Sequence, residues 1–251
     1  QLRAMYVIGE ETAFSDADTT NVHQGFTELD FLVVQDLFLS RTAQFADVVL
    51  PGCPSVEKEG TYVNTERRIQ RFYPVMPPLG DSRPDWLILT QLAAKMGYDW
   101  GYTHPGQIMD EVAKIAESFA GVSYARLEGW KSQIWPVSPE GVSTPLLYTE
   151  RFKFPDGRAR LYPLSWQPPA EEADAEFDLI LNNGRMLEHF QSTNQSGRGG
   201  RTISLSPEWY VEVSPELAAG RSLNEGDWVR LSSRRGTLDV PIVVTDRSEE
   251  R

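Results

Sequence analysis

The chain runs to 251 residues, with 40% hydrophobic and 24% charged side chains and a formal net charge of −12. That length fills one large domain or two ordinary ones, and 7 Trp, 9 Tyr and 11 Phe exclude a disordered chain. The acidic balance excludes a nucleic-acid backbone as partner, and no apolar run approaches the roughly 20 residues that cross a bilayer, so no membrane insertion is expected.

Taken in chain order, Gln1 to Ala4 lack an initiator Met and lead straight into an apolar run, Met5 to Ile8, that ends at Gly9. No signal-peptide pattern precedes it, so the chain reads as a piece of something longer. A polar stretch from Asp16 to Glu28 is helix-compatible, and Phe31 to Val34 is a second apolar run. Ser40 is placed to cap a short helix through Phe45, and Asp47 to Pro51 is a third strand. Continuous apolar strands separated by helices predict a parallel sheet covered on both faces. In such sheets ligands sit beyond the carboxyl ends of the strands, which here are Gly9-Glu10-Glu11, Gln35-Asp36 and Gly52-Cys53.

The spacing of Trp86, Leu89, Leu92, Ala93 and Met96 predicts a helix from Ser82 to Met96, capped by Ser82, with Pro84 in its first turn and Gly97 at its end. A second helix runs from Gly106 to Phe119, with Ile108, Met109, Val112, Ile115 and Ala116 on one face. Prolines then interrupt the stretch from Trp130 to Asp174, and the acidic segment Pro168 to Glu176 reads as a flexible domain boundary. Beyond it, Phe177 to Leu181, Trp209 to Val213, Trp228 to Ser232 and Thr237 to Thr245 read as strands, with a short helix from Pro215 to Ala219. Short strands at close spacing favour a small barrel.

The inventory for catalysis is thin. The three histidines are His23, His104 and His189, and no paired cysteines, metalloprotease helix, nucleophile elbow or phosphate-binding loop is present. The single cysteine, Cys53, leaves no internal disulfide framework or Cys-ligated cluster, reads as a small buried residue, and fits a reducing cytoplasm. An Asp directly after a buried strand, as in Gln35-Asp36, either accepts hydrogen bonds from ribose hydroxyls or a base edge, or caps the next helix. The polar stretch from Glu57 through Arg71 is either a fixed network around a charged ligand or an exposed charged hairpin. Asn182-Asn183-Gly184-Arg185, His189, Gln191 and Ser192-Thr193-Asn194 either approach a phosphate closely or form a polar surface loop.

Taken in order, Gly9-Glu10, Val34-Gln35-Asp36, Ala46 through Pro51, Glu59-Gly60-Thr61, Asn64 through Arg71 and Asn183-Gly184-Arg185 with His189 resemble the molybdopterin oxidoreductase family. Within it they are most similar to the alpha subunits of bacterial formate dehydrogenases, over essentially the whole chain. The resemblance implies an α/β architecture. Residues 1–125 would form the latter part of a Rossmann-like parallel-sheet domain and 126–174 a proline-rich connector. Residues 175–251 would form a truncated, six-stranded double-psi-type β-barrel.

It further implies molybdenum or tungsten held between two molybdopterin guanine dinucleotides. By position, Gly9, Glu10, Ser15, Gln35, Asp36, Ser40, Gly52 and Asp85 would line the guanosine-diphosphate side of one dinucleotide, and Arg185, His189 and Gln191 would face the pterin or diphosphate portion in the barrel. The family's iron–sulfur cysteines, metal-ligating cysteine or selenocysteine, and catalytic histidine and arginine lie upstream, so no catalytic or metal-ligating residue is expected here. The implied partners are the upstream catalytic part of the same polypeptide and electron-transfer subunits. After His189, where formate dehydrogenases read aromatic-His-Thr-Gly-Thr-Met-Thr, this chain reads Phe190-Gln191-Ser192-Thr193-Asn194-Gln195-Ser196. A nitrate reductase and a separate non-catalytic dinucleotide-binding subunit are the alternatives.

Overall fold

The computed structural model describes residues 2–191 and 193–249. Gln1, Ser192, Glu250 and Arg251, which entered the readings of both chain ends and of the 182–194 loop, lie outside the described residues. The chain divides into two compact units, one of residues 1–10 and 26–163, the other of residues 11–25 and 164–251.

The first unit opens with β1 (Ala4–Ile8). The chain then passes through a short helix, α1 (Thr12–Ser15), and through α2 (Thr19–Thr27), which lies within the helix-compatible stretch from Asp16 to Glu28. Strands β2 (Phe31–Asp36) and β3 (Val48–Pro51) follow, and the three pair in parallel in the order β1-β2-β3. Register aligns Ile8 with Gln35 and Gln35 with Leu50, which brings the three strand ends level. The central strand buries Leu32, Val34 and Gln35. Cover on both faces is not complete: Val48 and Val49 on edge strand β3 are 39% and 38% exposed. An edge strand has a neighbour on one side only, and its apolar residues mark the strand without guaranteeing burial.

Strands β4 (Gly60–Val63) and β5 (Arg68–Phe72) form an antiparallel hairpin. Helices α3 (Asp85–Lys95) and α4 (Pro105–Ile115) follow, and β6 (Ser132–Ile134) then pairs with β5. Ser82 does not cap α3. Its Oγ donates to Leu79 O at 2.8 Å, and Pro84 takes the cap position with an extended ψ, as a chain entering a helix through proline does. Gly97, at φ +89°, ends the helix as its sequence position predicts. In α4, His104 supplies a capping box with Gln107, and Met109 packs on the core while Ile115 at the far end is exposed. That core is Ile69, Val122, Leu127 and Val137, with Phe119 and Trp135 against it. Residues 126–145, expected within the connector, thus supply a strand and two core side chains to this unit.

The second unit contains α5 (Gly200–Leu205), β7 (Val211–Val213), α6 (Pro215–Gly220), β8 (Trp228–Ser233) and β9 (Gly236–Val244). Ser214 caps α6 through Leu217 N at 3.1 Å. The sheet order is β7-β9-β8, parallel then antiparallel, and Val240 and Ile242 alternate inward along β9. The expected strand from Phe177 to Leu181 does not form among the described residues, and Leu179, Ile180 and Leu181 are exposed. Its apolar residues made the segment strand-compatible, but a strand also needs a neighbour for its backbone groups. The sheet accordingly has three strands among the described residues, not the six of the expected barrel. The acidic stretch read as flexible is tied down: Glu171 and Asp174 pair with Arg234, and Glu171 also with Arg235, at the β8–β9 turn. No described helix is long and apolar enough to cross a membrane.

Candidate functional site

The parallel sheet brings Gly9, Gln35, Asp36, Gly52 and Asp85 together at its carboxyl edge. Gly9 leaves β1 at φ +62°, a conformation that disfavours any side chain, and its N–H donates to Gln35 O at 2.8 Å. Gly52 N donates to Asp36 O at 3.0 Å, and Gly52 bridges to Arg83, which sets the start of α3 beside the end of β3. A Cβ on Gly52 would lie 3.2 Å from Asp85 Oδ1 and 3.7 Å from Asp36 O. Asp85 opens α3, where the positive end of the helix favours a carboxylate.

A polar chain runs beneath this edge. Tyr6 Oη donates to Gln35 Oε1, Gln35 Nε2 donates to Asp85 Oδ1 at 2.6 Å, and Lys58 Nζ pairs with Asp85 Oδ2. Burial, and then the Asp85 charge, push the Tyr6 phenol above its ordinary range. Asp36 turns its Oδ1 to Leu37 N at 2.6 Å and Phe38 N at 3.4 Å, fixing the loop after β2. Ser40 is buried, and its Oγ accepts from Ala43 N at 3.2 Å, so its hydroxyl oxygen serves the short helix from Thr42 to Phe45. Cys53 is fully buried, and that burial is the main force pushing its thiol up. Glu10 is exposed at the end of β1. Lys58 and Tyr6 were missed from the sequence. Lys58 lies 27 residues before Asp85 inside a charged stretch whose individual partners are not marked in the sequence, and Tyr6 sits mid-strand, so neither position carried a local signal.

The charged hairpin resolves into an internal network. Glu59 accepts from Arg71 Nε at 2.6 Å and lies 3.1 Å from His104 Nε2, while the Arg71 guanidinium lies between Tyr73 and Tyr124, 4.6 and 4.8 Å from their ring centres. Arg67 donates to the carbonyls of Trp135, Thr144 and Pro145. These arginines tie the chain on either side of β6 to the hairpin.

In the second unit, Ser15 Oγ donates to Glu11 O at 3.0 Å. Both ring nitrogens of His189 are engaged: Nε2 donates to Ser206 O at 2.6 Å, and Nδ1 lies 3.1 Å from Ser196 Oγ. Ser196 Oγ also accepts from Phe190 N at 3.1 Å, which joins the His189 ring to the backbone of the next residue. His189 therefore fixes a turn in which Gln191 and Thr193 take left-handed φ values of +50° and +64°. Arg185 is exposed in the preceding loop. No cluster of His, Cys, Asp and Glu among the described residues could hold a metal ion.

The donor set of the first unit fits a nucleotide better than a metal. Two carboxylates supply acceptors for hydroxyl or base N–H groups, Lys58 supplies a cation, and Gly9 and Gly52 allow close backbone approach.

The molybdopterin oxidoreductase family model matches residues 1–95, and the molybdopterin dinucleotide binding domain model matches residues 179–251. A Bacillus subtilis (strain 168) protein named "Probable oxidoreductase YjgC" is 53% identical over 247 residues, 98% of this chain and 25% of its own. A Staphylococcus aureus (strain bovine RF122 / ET3-1) protein named "Putative formate dehydrogenase SAB2186c" is 48% identical over the same shares. The chain thus spans about a quarter of the length of these curated relatives. Among solved structures, acetylene hydratase from Pelobacter acetylenicus shares the fold, with a TM-score of 0.75 at 20% identity, covering 97% of this chain and 35% of that one.

Proposed function

The chain belongs to the molybdopterin oxidoreductase family, and we propose that it is the cofactor-cradling, carboxy-terminal part of a formate dehydrogenase. The observation that carries this reading is the carboxyl edge of the β1-β2-β3 sheet, where Gly52 approaches Asp36 and Asp85 too closely for a larger side chain to fit without displacement. On this reading Gly9, Glu10, Asp36, Gly52 and Asp85, with Lys58, receive the guanosine-diphosphate end of one molybdopterin guanine dinucleotide. In the second unit, Arg185 and the turn held by His189 face a pterin or diphosphate portion of the cofactor. Ser15, in the second unit, is a further proposed cofactor contact, and residues 175–251 contribute to a double-psi-type barrel in the whole protein.

When bound, the molybdenum or tungsten cofactor supplies two-electron redox chemistry. This chain's own residues bind it, orient it and tune its surroundings. The whole enzyme, in the cytoplasm, would oxidise formate to carbon dioxide, releasing two electrons and one proton, with iron–sulfur clusters in its upstream part and NAD or another acceptor receiving the electrons. The proposed partners are that upstream part and electron-transfer subunits. The relative named as a formate dehydrogenase supports this choice of substrate.

The segment after His189 departs from the formate dehydrogenase pattern, and it favours a second reading as another family member, such as a nitrate reductase. Assay of the cofactor-loaded whole enzyme with formate and with nitrate separates the two. Gly52→Val in that enzyme should remove most of the GMP released on acid hydrolysis, and unchanged GMP content would overturn the placement of the cofactor. The 251-residue chain alone should oxidise no formate; turnover by the purified chain would show that its chemistry does not lie elsewhere.

A further inference from the structure

The chain of hydrogen bonds beneath the strand-end edge has one polarity. An ionised carboxylate only accepts, so Asp85 can be met only by the NH2 end of the Gln35 amide. The carbonyl end then faces Tyr6, whose hydroxyl donates to it at 2.5 Å. Gln35 is 1% exposed, and both ends of its amide are engaged by the protein's own groups. Lys58 holds the other oxygen of Asp85. Each carboxylate oxygen therefore has one fixed donor from the protein and keeps a lone pair for a donor on a ligand.

We propose that Tyr6 and Gln35 are positioning residues that fix the Asp85 carboxylate as an oriented acceptor, an inference that rests on the strand-end edge holding the guanosine-diphosphate end of the cofactor. Without the Tyr6 hydroxyl, the buried Gln35 carbonyl loses its donor and the amide is free to rotate away from Asp85. The raised Tyr6 phenol, pushed up in part by the Asp85 charge, reports the same coupling from the far end of the chain.

The test uses the full 251-residue chain, with GDP as the probe in ligand-observed NMR titrations and the Gln35 side-chain amide followed by nitrogen-15 NMR. Asp85→Asn should weaken GDP binding by more than about tenfold, and Tyr6→Phe by about threefold to tenfold. Tyr6→Phe should also move the two Gln35 amide proton signals towards the positions of a freely rotating glutamine side chain, while backbone signals of β1 and β2 stay in place. In Asp85→Asn the Tyr6 phenol should titrate at lower pH than in the parent chain.

If the parent chain binds no GDP, or Asp85→Asn binds it as well as the parent, the reading of the edge as a nucleotide site fails. If Asp85→Asn loses GDP but Tyr6→Phe binds it normally, the positioning role is overturned and the site stands. Weaker GDP binding in Tyr6→Phe with an unchanged Gln35 amide also overturns it, because the effect would then be general destabilisation. Should Tyr6→Phe fold poorly, Gln35→Leu answers the same question, with weakened GDP binding expected and unchanged binding fatal to the proposal.

Discussion

Gln35 Nε2 donates to Asp85 Oδ1 across 2.6 Å, joining the end of β2 to the first turn of α3 over fifty residues of sequence. This bond makes the strand-end edge a built surface. The parallel sheet alone would align Gly9, Asp36 and Gly52, but it would not bring a second carboxylate to them. Arg83, paired to the end of β3, and Lys58, paired to Asp85, complete the attachment of α3.

Gly52 is the tightest point of that edge. A Cβ there falls 3.2 Å from Asp85 Oδ1, so Ala is accommodated by a small shift of the carboxylate, whereas the branched side chain of Val is not. Gly52→Val should cost about 1–3 kcal/mol by overpacking, and Gly52→Ala less than about 1 kcal/mol. Urea midpoints of the two variants check the order, and equal stability for both would mean that the edge yields freely.

The sequence marked the strand ends because continuous apolar runs and their polar stops are local features. Phe31 to Val34 followed by Gln35-Asp36 is visible within six residues. Gln35's burial was not visible, because it depends on Tyr6 and Asp85 arriving from two other elements. The same limit explains Ser82, which has the composition of a cap but lies two residues before the cap position that Pro84 takes. It also explains Phe177 to Leu181, whose composition is strand-like while its pairing depends on chain elsewhere. Ser40 and His189 were legible as polar residues at chain turns. Whether a hydroxyl or ring faces a ligand or its own backbone is decided by tertiary geometry, and here Ala43, Ser196 and Ser206 provide the partners.

Arg71 should be the most costly of the hairpin arginines to remove. Its side chain and that of Glu59 are 16% and 19% exposed, and its guanidinium lies against two aromatic rings. Arg71→Met leaves Glu59 with only His104, which should destabilise the chain by about 2–4 kcal/mol. Arg71→Lys keeps the charge but not the planar stacking and should fall between. Urea denaturation of both variants gives the comparison, and Arg71→Met matching the parent would show that the pair contributes nothing net.

Leu127 and Ile69 have no exposed surface and meet in one core although they lie on opposite sides of α3 and α4 in sequence. Leu127→Ala should cost about 2–5 kcal/mol, the lost transfer energy plus the cavity left behind. If residues 126–145 were a loose connector, the same substitution would be nearly silent. Thermal or urea unfolding of the variant therefore distinguishes a built-in segment from a linker.

Tyr124 gives the clearest pH dependence. Burial, reinforced by the Glu59 carboxylate and opposed by Arg71, pushes its phenol up to about 12. In the unfolded chain the same phenol loses its proton near pH ~10. Between those values the folded chain holds a proton that the unfolded chain has released, so stability falls as pH rises. The contribution is fully present below about pH 10 and is lost as pH climbs towards about 12. Tyr124→Phe has no proton to lose, so its urea midpoint should decline less steeply over that window than the parent's. Parallel declines in the two proteins would show that the phenol is not held in its neutral form by the fold.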